Sequence, residues 1–195
     1  MKPLTLLSAL LLLAYPLAVY YGLSRWRMGA VAGILVLLFA LRILGSNQTR
    51  LLELKKIAWI SGLAGIALTL AAFIFNNSQW FTYYPLVVNA VMFTVFFSSL
   101  WQKESMVERF ARLQDPNLPD HAIGYTRTVT KVWCVFFIIN GAISFASSLI
   151  SMEVWTLYNG LLSYLLAGGL FAIEFIVRLI VQKKHVENDK INSEK

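Results

Sequence analysis

The sequence is poor in charge. Only 14% of its 195 residues are Asp, Glu, Lys or Arg, against about a quarter in an ordinary globular protein. It holds one cysteine, Cys134, and two histidines, His121 and His185. A lone cysteine excludes an internal disulfide and leaves no sign of an oxidising compartment. One cysteine and two scattered histidines cannot make a zinc set, so neither metal nor cofactor is expected. Familiar catalytic signatures are missing as well: there is no H-E-x-x-H, no P-loop, no G-x-S-x-G and no acidic pair within an apolar run. No catalytic residue is assigned, and the chain is read as a non-enzyme. His121, beside Asp120 in a polar stretch, reads as a solvated loop histidine.

Apolar surface is what the chain has in plenty. Hydrophobic residues make up 58%, in long runs separated by short basic stretches, which is the pattern of the membrane class. A bilayer core of about 30 Å takes roughly 20 helical residues per crossing. Six runs meet that demand, at residues 4–23, 28–44, 57–75, 82–100, 132–150 and 155–180. The expected fold is all-α: a polytopic membrane helical bundle with six transmembrane helices, one domain over residues 1–181, and a polar, disordered cytoplasmic tail at 182–195. A cleaved signal peptide competes for the first run, since Lys2 precedes it. That run is long for such a segment and no A-x-A site follows, so it is read as a span.

The net charge of +7 resembles a nucleic-acid footprint, but its distribution follows membrane topology. With the N-terminus inside, fifteen of the 17 lysines and arginines fall on the inner side; only Arg25 and Arg27 fall outside. The outer loops at 76–81 and 151–154 carry none. By the positive-inside rule both termini are expected to be cytoplasmic; the chain is read as a protein of the bacterial inner membrane that binds no nucleic acid. If the first run does not span, the alternative is five helices and an outside N-terminus. Trp26, Trp80, Trp101, Trp133 and Trp155 sit at run ends, where aromatic residues anchor at membrane interfaces.

The cytoplasmic loop 101–131 is the longest segment outside the bilayer. Ser105 and Glu108 have capping-box spacing. Met106, Phe110 and Leu113 then recur at helical intervals, and Glu108 with Arg112 makes an i,i+4 pair. Two readings stand level: an amphipathic helix on the membrane surface with Arg109 and Arg112 near phosphates, or a helix packed on the bundle. Arg127 leads into the fifth span as a further surface or partner contact.

Polar residues within the spans predict a seam, because such groups turn away from lipid. On the sixth span Asn159, Ser163, Glu174 and Arg178 share one helical face; on the fifth, Asn140, Ser144 and Ser147 do; Asn89 lies in the fourth. The functional reading is a track for an amphiphile. The plainer and preferred one is interhelical hydrogen bonding. Glu174 is the sharpest single candidate, although Arg178 one turn on explains it as an ion pair. Gly29 to Gly33 and Ser61 to Gly65 have the small-x-x-x-small spacing of close helix contacts, within the bundle or in a homo-oligomer.

Five segments occur together in a telling order: Asn76 to Phe81, Pro85 to Asn89, Lys103 to Arg109, Trp133 to Gly141 (W-C-V-F-F-I-I-N-G) and Trp155 to Gly160. Their layout over residues 57–180 resembles the bacterial intracellular septation protein A family. It is closer still to an uncharacterised sister family of inner-membrane proteins, often encoded among fatty-acid-like and aryl-polyene biosynthesis genes. The insert from Arg112 to Tyr125 departs from the septation family. The resemblance implies a fold and a context, and carries over no catalytic residues. It implies a non-enzymatic helper of envelope lipid or polyene-lipid synthesis or transport. Such a helper would act as a carrier through the polar seam or as a scaffold for cytoplasmic biosynthetic enzymes through the loop arginines, with membrane lipids as partners. Two alternatives remain: an envelope-integrity or division factor, and a lipid-modifying membrane enzyme.

Overall fold

The computed structural model describes residues 15–46 and 51–193, and these form helices and turns with no strand among them. In chain order they are α1 (Tyr15–Arg25), α2 (Met28–Ser46), α3 (Leu52–Ile74), the single turn α4 (Gln79–Thr82), α5 (Tyr84–Ser99), α6 (Met106–Arg112), α7 (Asp120–Ile150) and α8 (Met152–Leu157). A π-helical turn (Tyr158–Leu162) then joins α8 to α9 (Ser163–Ser193). Five stretches are long and apolar enough to cross a membrane: Met28–Ser46, Leu52–Ile74, Gln79–Ser99, Ala122–Ile150 and Met152–Val181. They overlap the second to sixth expected runs. Most of the first run lies outside the described residues; its remainder is the start of α1.

Local chemistry explains how these helices begin, end and meet. α3 closes with Asn76 at φ 47°, a left-handed position that Asn tolerates better than most residues. Asn77 N–H bonds the Ala72 carbonyl at 3.0 Å and Asn76 N–H the Phe73 carbonyl at 3.3 Å, the paired closure of a Schellman turn. In the next helix Pro85 has no N–H to offer the Phe81 carbonyl four residues back. The Tyr15 hydroxyl donates to that carbonyl at 2.7 Å, and Trp155 Nε1 donates to the neighbouring Thr82 carbonyl at 2.9 Å. Tyr15, Phe39, Phe81, Tyr84 and Trp155 are buried together there as the larger core cluster. Ser61 to Gly65 works as its spacing predicts. A Cβ on Gly65 would sit 2.5 Å from Phe39 Cζ, and one on Gly62 2.6 Å from Ile43 Cγ1, so α2 and α3 approach only because these sites lack side chains. Gly29 to Gly33 makes no such contact within the described chain: a Cβ on Gly33 meets nothing within 4 Å.

Two expectations change. The helix that carries the fifth span starts upstream of Val132: α7 begins at Asp120, so the loop expected over 101–131 shrinks to the stretch before Pro119. After that proline only Gly124 weakens the helix, at a cost of about 1 kcal/mol. Thr126, Thr128 and Thr130 return their hydroxyls to the Ile123, Gly124 and Thr126 carbonyls, which satisfies them within the helix. The tail from residue 182 is helical through Ser193 as the end of α9, rather than disordered.

For α6, packing on the bundle, one of the two readings left open, is what the structure shows. Met106 and Glu108 are fully buried, while Leu113 at the far end of the expected apolar face is exposed. Every N-terminal amide of α6 has a partner: Met106 N–H donates to Ser99 Oγ, Val107 N–H to Thr130 Oγ1, Glu108 N–H to Ser105 Oγ and Arg109 N–H to the Ser105 carbonyl. A helix this short is marginal alone. Hydroxyls from α5 and α7 hold its start in place.

Candidate functional site

The polar residues of the spans converge at the contact of α5, α7 and α8 with its π-helical turn. Asn140 Nδ2 donates to Asn89 Oδ1 at 3.0 Å, and Asn140 Oδ1 accepts from the Tyr158 hydroxyl at 2.8 Å. Gly141 makes this approach fit, since a Cβ there would stand 3.1 Å from that of Asn89. One turn further along α7, Ser144 Oγ donates to Asn159 Oδ1 at 2.7 Å. Asn159 Nδ2 reaches Ser147 Oγ at 3.4 Å and the Trp155 carbonyl at 2.9 Å, while Ser163 Oγ donates to the Asn159 carbonyl at 3.3 Å. Asn89, Asn140, Ser144, Asn159 and Ser163 are thus brought together as the sequence predicts.

Tyr158 is the member that sequence reasoning missed. Successive residues of an α-helix point about 100° apart, so Tyr158 and Asn159 are not expected to serve one network. The π-helical turn changes that register, and both are buried against α7. The N-G pair after Tyr158 was the only local hint, because glycine eases a departure from α-helical geometry. Such bulges recur at functional positions.

Glu174 does not join the seam. It lies 15 residues beyond Asn159, roughly 22 Å along the helix. There its carboxylate accepts from the Tyr125 hydroxyl at 3.3 Å and pairs with Arg178 at 3.7 Å. Trp133 and Phe171 also meet, ring to ring at 6.3 Å. Between these contacts and the Asn140–Tyr158 bond, α7 and α9 separate around a slot of about 290 Å³. Val135, Ile139, Ile143, Leu166 and Leu170 line it, with Asn140 and Tyr158 in its wall. An amide NH₂ has two N–H groups and a phenol oxygen can accept as well as donate. Asn140 therefore keeps one N–H, and Tyr158 its acceptor capacity, beyond the bonds described.

The loop arginines form a second polar centre. Arg109 pairs with Glu53 at the start of α3 and also donates to Gln102. Arg112 donates to Glu108 Oε1 at 3.0 and 2.8 Å, to the Pro116 carbonyl at 3.2 Å, and lies 3.4 Å from Glu104. The capping box is complete, with Glu108 also accepting from Ser105 N–H at 3.4 Å. Arg127 caps the end of α5 by donating to the Leu100 carbonyl. All three arginines thus have partners within the chain. Between α6 and the start of α3 an open cleft of about 560 Å³ is bordered by these charges.

Among the described residues no group of three or more His, Cys, Asp or Glu is placed to hold a metal ion. Three of the segments quoted for the resemblance, those containing Asn89, Asn140 with Gly141, and Tyr158 with Asn159, meet in the seam, so their residue types are accounted for by packing and hydrogen bonding. An all-helical chain with five such apolar helices is compatible with a multi-pass membrane protein. Comparison with family models, curated proteins and solved structures finds no match.

Proposed function

We propose that this chain is a six-span protein of the bacterial inner membrane, with both termini cytoplasmic, that assists envelope lipid or polyene-lipid handling without catalysing a reaction. The slot between α7 and α9 carries this reading. It opens sideways through residues whose outer faces are exposed and apolar, Val135, Ile139 and Leu166 among them. Lipid chains are the natural neighbours of such a face, and unspent hydrogen-bonding capacity at Asn140 and Tyr158 would hold an oxygen carried on an otherwise apolar chain. The lopsided distribution of lysine and arginine supports the orientation. The layout shared with the septation protein A family and its sister group supports the envelope context.

The carrier version is favoured over the scaffold version because the slot reaches Asn140 and Tyr158 of the seam, whereas Arg109, Arg112 and Arg127 each already spend donors within the chain. The test is to delete the gene, separate the inner and outer membranes, and profile the lipids of each by mass spectrometry. A lipid or pigment made but retained in the inner membrane is the expected result. Complete loss of that compound points to synthesis or scaffolding, and unchanged profiles remove the lipid role. Complementation with Asn140→Ala, stable in the membrane, is expected to fail; full rescue would sink the carrier version.

A further inference from the structure

The cleft beside α6 has a charge pattern that no step above uses. Its walls hold Arg109, Glu53, Arg112 and Glu104, with Leu51, Leu113 and Pro116 as an apolar rim. A guanidinium has five N–H groups. Arg109 spends two of them, on Glu53 and Gln102, and Arg112 spends three, two on Glu108 and one on Pro116. Both arginines therefore keep donors. The Glu104 and Glu53 side chains are 39% and 24% exposed, whereas Glu108 behind Arg112 is only 3% exposed. Each of the two exposed carboxylates meets its arginine through one oxygen and keeps the other.

Among the described residues that line the cleft, two guanidiniums face two carboxylates, with the buried Glu108 behind Arg112. A purely anionic ligand would set its charge against the carboxylates, and a purely cationic one would leave the spare guanidinium N–H groups unused. The complement is a zwitterion: an ammonium against the carboxylates, and a phosphodiester against the guanidiniums, which bind phosphate oxygens with directed pairs of N–H groups. The cation is a primary ammonium rather than a quaternary one. Its N–H groups can donate to Glu53 and Glu104, while a quaternary ammonium calls for an aromatic cage, and none of the described residues lining the cleft is aromatic.

We infer that the α6 cleft binds the headgroup of a phosphoethanolamine lipid, with Glu53 and Glu104 holding the ammonium and Arg109 and Arg112 the phosphate. The apolar rim and the position of the cleft at the start of a membrane-crossing helix, α3, favour a lipid over a free soluble zwitterion. This inference goes beyond the proposed function and stands apart from it, since headgroup selection here is independent of what the α7/α9 slot takes.

The experiment uses the full-length protein in detergent with an equimolar mixture of phosphatidylethanolamine, phosphatidylcholine and phosphatidylglycerol, read by native mass spectrometry. Phosphatidylethanolamine is expected to be retained on the order of ten-fold over both others, the scale of one charge-assisted hydrogen bond. Glu104→Gln, at a partly exposed site outside the capping box, is expected to keep the melting temperature and lose most of that preference. Glu53→Gln is expected to act in the same direction. Equal retention of all three lipids, preference for phosphatidylglycerol, or an unchanged preference in both variants overturns the assignment. Glycerophosphoethanolamine at millimolar concentration is the soluble arm: failure to displace the lipid supports a lipid ligand, and full displacement overturns it.

Discussion

The seam and the α6 cluster are both polar networks that tie distant parts of the chain together, yet they are built in opposite ways. The seam is neutral and buried: amides, hydroxyls and one phenol satisfy each other between α5, α7 and the π-helical turn. The α6 cluster is charged and partly open, with two arginines spread over carboxylates from α3, α6 and the loop before it. The difference follows from what surrounds each. In hydrocarbon an unpaired charge is expensive, so polar contacts there use groups that stay neutral and pair completely. At the water interface charges can be left with spare valence, and spare valence can bind a ligand. Completeness in the one and spare capacity in the other mark which network holds the fold and which is open to a headgroup, with Asn140 and Tyr158, bordering the α7/α9 slot, as the seam's own exception.

The sharpest break of this contrast is Asn159→Leu. It removes the bonds to Ser144, Ser147 and the Trp155 carbonyl. At about 0.6 kcal/mol for each hydrogen bond within a membrane bundle, the expected loss is about 2 kcal/mol. Reversible unfolding in mixed micelles measures it; a loss near zero would mean that the seam does not hold the fold. Next comes Glu108→Ala, which takes away the reciprocal half of the capping box and the buried partner of Arg112. A loss of about 1 kcal/mol is expected, confined to α6 and read as faster amide exchange in residues 105–112 with the seam unaffected.

Salt distinguishes the networks without mutation. Raising ionic strength from about 0.01 to 1 M shortens the screening length roughly ten-fold. Exchange in α6 is expected to rise modestly, by an amount equivalent to about 0.5 kcal/mol for its partly exposed pairs, while the seam amides stay constant. Equal sensitivity of both would contradict the assignment of neutral and charged networks. The smallest effect is expected from Glu174→Gln. Its Tyr125 contact survives as a neutral hydrogen bond and only a long pair to Arg178 is lost, so unfolding should shift by no more than about 0.5 kcal/mol. A large shift would return Glu174 to the seam from which its position separates it.

Much of this architecture was legible from residue order. Apolar runs set where helices cross, because length and hydrophobicity suffice for that. The capping box and the Glu108–Arg112 pair were readable because both are local, four residues or fewer apart. The pairing of Ser61 and Gly65 with a neighbouring helix followed from size alone, although which neighbour did not. Asn89, Asn140 and Asn159 could be predicted to face inward, since hydrocarbon penalises any other direction.

What lay beyond the sequence depended on register and on contacts between remote segments. The Gly29–Gly33 spacing is as good as that of Ser61–Gly65, but a glycine matters only where another helix arrives, and none of the described helices reaches Gly33. Tyr158 enters the network because a π-helical turn shifts the facing of one helix, and Glu174 stays outside it because it lies 15 residues beyond Asn159, where it meets Tyr125 at the other end of α7 instead. Arg109 is tied to Glu53, 56 residues away, a pairing that no local spacing predicts. The sequence by itself determined where the five described apolar helices lie, their helical state and the polarity of each face, all properties of one segment in its solvent. Only the tertiary structure decided which polar groups spend their hydrogen-bonding capacity on one another and which keep it, because that depends on partners brought close by the fold.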